Sequence, residues 1–202
     1  MDLDKLQLDG GCLVFDFINT INNRNKNPHI DYLSNYESFL LWSCKVKITR
    51  KSRVQALLEH ARQGTEKKSE AFDEIIRCRE NLHDFFYAII SGKAPAAHLI
   101  ESFNALLSFS MRHLSIKIKN GALETNIESK MVSLREPLWY IGKSAYEVLQ
   151  TNDWARFKSC PSCGWLFIDT SKSATRKWCN MKVCGGQDKA RKYYHREKSK
   201  KA

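Results

Sequence analysis

No stretch of the 202 residues approaches the roughly 20 uncharged apolar residues that a membrane span requires. The opening MDLDKLQLDGGCLVFDF carries early acids where a secretory signal needs a basic start. A cytoplasmic protein is therefore expected, with reduced thiols, so paired cysteines point to metal ligation rather than disulfides. The cysteine count, seven, is odd, which also fits a closed disulfide framework poorly. Gly-rich phosphate loops, H-E-x-x-H and G-x-S-x-G are all missing. His83, His98 and His113 have no carboxylate or nucleophile at informative spacing, so an enzyme is not expected. Cys12, Cys44 and Cys78 read as small buried apolar residues. Acids are scarce in one place: from Arg156 onward there are 13 Lys and Arg against 3 acids, whereas the first 155 residues carry 20 against 19.

Nearly all of the +11 net charge thus lies in the last quarter, the footprint of a polyanion-binding surface. The end, REKSKKA, taken alone reads as a solvated tail. Apolar residues make up 43% of the chain, enough for a substantial core. Residues 1–155 read as a mainly helical domain. CLVFDFINTINN keeps helical spacing through Val14, Phe17, Ile18 and Ile21, and NYESFLLWSC forms a short helix with Tyr36, Phe39, Leu40 and Trp42 inward. Thr49 suits the N-cap of a helix through Gln63, and a long helix over 67–90 buries Phe72, Ile75, Ile76, Leu82 and Phe86. A helix after Pro95 and a last one over 135–151 complete the set. Between them, alternating HLSIKIK and ALETNIE flank Asn120-Gly121, a hairpin signal. Asp16, Asn19 and Thr20, embedded in apolar sequence, either line a ligand pocket or make local polar bonds on a packed helix.

Residues 156–202 hold Cys160-x2-Cys163 and, after fifteen intervening residues, Cys179-x4-Cys184. Two such pairs suit a tetrahedral four-thiolate zinc site, whose closed shell leaves no water position and makes the metal structural. CPSCG suits a zinc knuckle, and WLFIDTSKSATRKW reads as a hairpin returning at Trp178. GGQDKARKYYHREK then starts a basic helix near Gln187, with Ala190, Tyr193 and Tyr194 on a packing face. Knuckle, hairpin and helix make a small treble-clef-like α+β finger. Lys158, Arg176, Lys177 and Lys182 either serve a polyanion or balance the −2 charge of the zinc site.

The segment CPSCGWLFIDTSKSATRKWCNMKVCGG with its following helix resembles the CGNR zinc finger. LVFDFINT and FLLWSC resemble the ABATE domain that accompanies it in bacterial stress-induced transcription regulators. The resemblance implies one Zn2+ on Cys160, Cys163, Cys179 and Cys184. This chain has Cys184-Gly185-Gly186-Gln187 where the family has Cys-Gly-Asn-Arg, losing a fixed cation and a bidentate contact. Gln187 is left to hydrogen-bond a base or phosphate, or to cap the helix.

The expected function is transcription regulation. DNA meets Lys189, Arg191, Lys192 and Arg196, with Arg176, Lys177 and Gln187 alongside, and the N-terminal domain senses a small-molecule effector or forms a homodimer. The alternative is an RNA-binding or protein-interaction module, in which exposed Tyr193, Tyr194 and Trp165 stack on single-stranded bases.

Overall fold

Helix α1, Leu13–Ile18, is apolar except for Asp16: Val14, Phe15, Phe17 and Ile18 are fully buried. A helix with that composition belongs at the centre of a core, and α1 packs against helices and strands that follow it along the chain. In this computed structural model, residues 3–128, 132–151 and 153–200 are described, apart from the side chains of 65, 66, 195, 197 and 200. The first two residues of the acidic start and the last two of the tail lie outside them; REKSKKA is helical as far as Lys200.

Around α1 stand α2 (Tyr36–Lys45), α3 (Lys51–Arg62), α4 (Thr65–Ile90), α5 (Ala97–Met111) and α6 (Glu136–Gln150). Asn35 starts α2 through a capping box, its Oδ1 accepting from Ser38 N at 2.8 Å while Ser38 Oγ accepts from Asn35 N. Tyr36, Phe39, Leu40 and Trp42 then turn inward, as their spacing predicts. The expected cap of α3 fails. Arg50 holds that position without a side-chain bond, and Thr49 is buried with its hydroxyl unpartnered among the described residues. The long helix α4 begins two residues earlier than expected and buries Ala71, Ile75, Leu82, Phe85 and Phe86. Its stripe includes Arg79, only 2% exposed, where periodicity calls for an apolar residue. Helices α5 and α6 approach closely because Gly142 has no side chain: a Cβ there would lie 2.1 Å from Ser110 Oγ.

Strands β1 (Leu114–Lys119) and β2 (Ala122–Ile127) form the expected hairpin, pairing Leu114 with Ile127 and Ile118 with Leu123. Asn120 and Gly121 both have positive φ, 51° and 79°, as its two-residue turn needs. The hairpin projects from the body, leaving Ile116, Ile118 and Leu123 exposed.

Strand β4 (Leu166–Ile168) pairs with β3 (Phe157–Ser159), the segment before the first cysteine. The expected return strand toward Trp178 does not form. Burial decides this: Phe157 pairs with Ile168 and lies edge-on to Phe15 and Phe86, whereas the polar stretch 170–177 has little to bury. That stretch is organised by Asp169 instead. Its carboxylate accepts from Ser171 N and Oγ and from Arg176 N, at 2.9, 2.6 and 2.7 Å. Burial opposes ionisation, but these bonds with Lys158 nearby hold its pKa down at about 2. A helical turn, Met181–Gly185, leads into α7, Gly186–Lys200. The described chain is thus mainly helical, with seven α-helices and two small hairpins, the second carrying two of the four clustered cysteines.

Candidate metal centre and basic helix

The turn between β3 and β4 presents the first cysteine pair. Cys160 N donates to Trp165 O and Gly164 N to Cys160 O, each at 2.8 Å, with Gly164 at φ 74°. Asn180 builds the second: its Oδ1 accepts from Lys182 N and Val183 N, and its carbonyl accepts from Cys184 N and Gly185 N. Gly185 packs under Met181, whose Sδ would be 2.6 Å from an added Cβ.

These turns bring Cys160, Cys163, Cys179 and Cys184 together, all buried, with their sulfurs within 4.8 Å of one another. The Cys163–Cys179 and Cys179–Cys184 separations are 3.6 and 3.7 Å. Zn–S bonds of about 2.3 Å give tetrahedral edges of about 3.8 Å, so the cluster matches a four-thiolate zinc shell. Backbone amides of Ser162 and Cys179 favour the thiolate of Cys160, and that of Trp165 favours the thiolate of Cys163. Bonding to Cys160 raises the Cys163 and Cys179 thiols above their ordinary range and pulls Cys160 down. Four adjacent sulfurs cannot all ionise without a cation; a divalent metal lets them do so.

The finger is bonded to the helical body on several sides. Asn19 reads both backbone groups of Leu166, donating through Nδ2 to its carbonyl at 2.8 Å and accepting its N–H at 3.0 Å. Trp165 Nε1 donates to Ile21 O at 2.5 Å, Arg24 N to Cys163 O at 2.8 Å, and Ile168 N to Gly10 O at 2.9 Å. Asn180 Nδ2 reaches Gln7 and Asp9. Across residue 155, where composition suggests a boundary, the apolar core is continuous: Phe157, Trp165, Leu166 and Phe167 join one buried cluster with α1 and α4.

Asp16, Asn19 and Thr20 therefore do not converge on one space. Asn19 bonds to β4. Thr20 Oγ1 donates to Phe17 O and accepts from Arg79. Asp16 accepts from Gly10 N at 2.9 Å, and burial pushes its pKa up to about 6, with Asp9 adding to the shift. Sequence reasoning missed the network around Arg79, which grips Asp31 with both Nη atoms at 2.7 and 2.6 Å and Glu80 through Nε at 2.7 Å. Glu80 in turn receives Arg24 at 2.7 Å, and Arg24 also bonds Ile18 O. An arginine inside an apolar stripe, with Asp31 and Arg24 in the polar loop, is the available sequence signal.

The expected nucleic-acid residues divide into two groups. Arg176 is half-buried, bonding Trp178 O and lying 4.9 Å over the Phe167 ring. Lys177 is exposed beside Trp178. Gln187, Lys189, Arg191, Lys192 and Arg196 lie together on α7, all exposed; Lys192 meets Asp188 at 2.9 Å and Arg191 reaches Ser162 Oγ at 3.0 Å. Ala190, Tyr193 and Tyr194 do not pack on the hairpin: Tyr193 and Tyr194 are 61% and 63% exposed, because α7 projects away from it. Trp165, by contrast, is buried and unable to serve as a stacking platform.

The CGNR zinc finger model matches residues 156–197. No curated protein matches the chain. The C-terminal segment thus matches the CGNR zinc finger, and its clustered cysteines suit one structural zinc. Among the described residues, no helix is long and apolar enough to cross a membrane.

Proposed function

We propose that the protein is a bacterial, cytoplasmic transcription regulator that binds duplex DNA through α7 and does no chemistry of its own. The observation that carries this reading is an exposed basic helix continuing directly from the second pair of metal ligands, so that the zinc fixes its root. Helices held in this way lie along phosphates or enter a major groove. Residues 1–155, with their resemblance to ABATE, supply sensing or dimerisation in a stress response. A cleft of about 710 Å³ lined by His60, Lys67, Phe109, His113, Arg135 and Trp139 supports sensing of a small molecule. The exposed Ile116, Ile118 and Leu123 support self-association.

Exposed Tyr193 and Tyr194 favour a second reading, stacking on single-stranded RNA. A gel-shift salt titration on duplex DNA and on single-stranded RNA tests both. For Lys192→Ala/Arg196→Ala, the slope of log affinity against log salt on duplex DNA should fall by about two. An unchanged slope removes these side chains from the phosphate backbone. Tighter binding to RNA at equal salt favours the second reading.

A further inference from the structure

The asparagine-rich loop of the helical body and the root of α7 enclose a cleft of about 630 Å³. Asn23, Asn25 and Lys26 line one side, Gln187 and Arg191 the other, and Ser162 of the zinc knuckle the floor; among the described residues no acid lines it. Two cations, three amides and a hydroxyl are a lining for a phosphodiester group, which offers several acceptor oxygens and no donor.

The walls are fixed. Arg24 N donates to Cys163 O at 2.8 Å, and Asn25 Nδ2 to Pro161 O at 3.2 Å. Gly164 lets the loop approach: at φ 74°, an added Cβ would sit 2.9 Å from Asn25 Oδ1 and 3.0 Å from Arg24 Cβ. The Arg24 guanidinium pins the loop from behind through Glu80 and Ile18 O. Arg191 crosses from α7 to Ser162 Oγ at 3.0 Å. The Lys26 side chain is exposed, so its ammonium can turn toward a ligand without breaking the fold.

We infer that this cleft takes a backbone phosphate of the duplex that α7 follows, so that the helical body, through Lys26, forms part of the nucleic-acid interface. The inference rests on the proposed DNA binding and assigns it residues outside the finger. A phosphodiester running along α7 passes the mouth of the cleft, where Lys26 and Arg191 supply positive charge at a point at which α7 itself offers Gln187. The body and the finger then grip the duplex together.

Fluorescence anisotropy with the zinc-loaded full chain and a short duplex of random sequence, titrated with salt, tests the inference. Lys26→Ala should weaken binding about three- to tenfold and lower the salt slope by about one, and Lys26→Glu should do more. Lys93→Ala, in the turn between α4 and α5, should match wild type, and thermal midpoints should stay equal. If the Lys26 variants bind like wild type while Lys192→Ala/Arg196→Ala loses slope, the cleft assignment is overturned and the α7 reading stands. If wild-type protein shows no salt-dependent duplex binding, both fall together.

Discussion

The helical body and the finger use charge in opposite ways. In the body, 20 Lys and Arg face 19 acids, and partly buried cations meet partners across the fold: Arg79 with Asp31, Arg24 with Glu80, Arg53 with Glu136, Arg135 with Glu74. In the finger, 13 cations face 3 acids, too few to neutralise them. Charge in the body sets loop positions; charge on α7 makes an outward field. The two regions also get their order differently. The body supplies most of the apolar core, to which the finger adds Phe157, Trp165, Leu166 and Phe167, while the rest of the finger closes round a cysteine cluster that needs a cation. A metal does there what area does elsewhere.

The largest predicted effect attacks that contrast. Replacing Cys179 with Ser should abolish stoichiometric zinc, removing a contribution on the order of 10 kcal/mol to finger folding. Because Phe157 and Phe167 lie in the shared core, the melting midpoint of the helical body should fall as well. Hydrogen exchange resolved over α1 and α4 checks this; unchanged protection there would mean that the body is independent of the metal.

A smaller effect is expected at the joint. Asn19→Ala strands both backbone groups of Leu166 and should cost about 2–4 kcal/mol in urea unfolding with excess zinc. Asn19→Asp should be worse, since it turns an acceptor toward the Leu166 carbonyl. Recovery of stability in the Asp variant would contradict the assigned hydrogen bonds.

The smallest effect concerns Asp16 and has the opposite sign. Its folded pKa of about 6 lies above the unfolded value near 3.9. The folded state therefore binds more protons between those values, so this group's contribution declines as pH rises through that window and is a full penalty above about 6. Asp16→Asn, which keeps an acceptor for Gly10 N, should stabilise the protein by about 1–2 kcal/mol at pH 7.5 after allowance for residual solvent screening. The gain should shrink as pH falls toward 5. A gain that does not vary with pH would place its origin elsewhere.

What the sequence reveals follows the range of the forces involved. The cysteine pairs are legible because ligand geometry dictates their spacing, and the β1–β2 hairpin because Asn120-Gly121 dictates its turn locally. The partner of β4 is not legible: a three-residue strand carries almost no periodicity, and Phe157 is chosen by rings on α1 and α4. Asn19 and Thr20 are visible as polar residues in apolar sequence, yet the Leu166 backbone that Asn19 serves lies 147 positions away. Arg79 interrupts an apolar stripe and reads as a gap until Asp31 folds over it. Tyr193 and Tyr194 have packing spacing but face solvent, since α7 leaves the body along the direction set by the Met181–Gly185 turn.

The central claim is that zinc holds α7 where its cations meet phosphate. It is tested most directly by the salt dependence of duplex binding, measured on the zinc-loaded chain and after removal of the metal by a chelator. The account predicts a steep slope for the loaded protein and, after chelation, binding weakened at least tenfold with a shallower slope, restored by adding zinc. Equal affinity and slope with and without metal would show that α7 binds, if at all, as a basic peptide for which the metal centre sets no geometry.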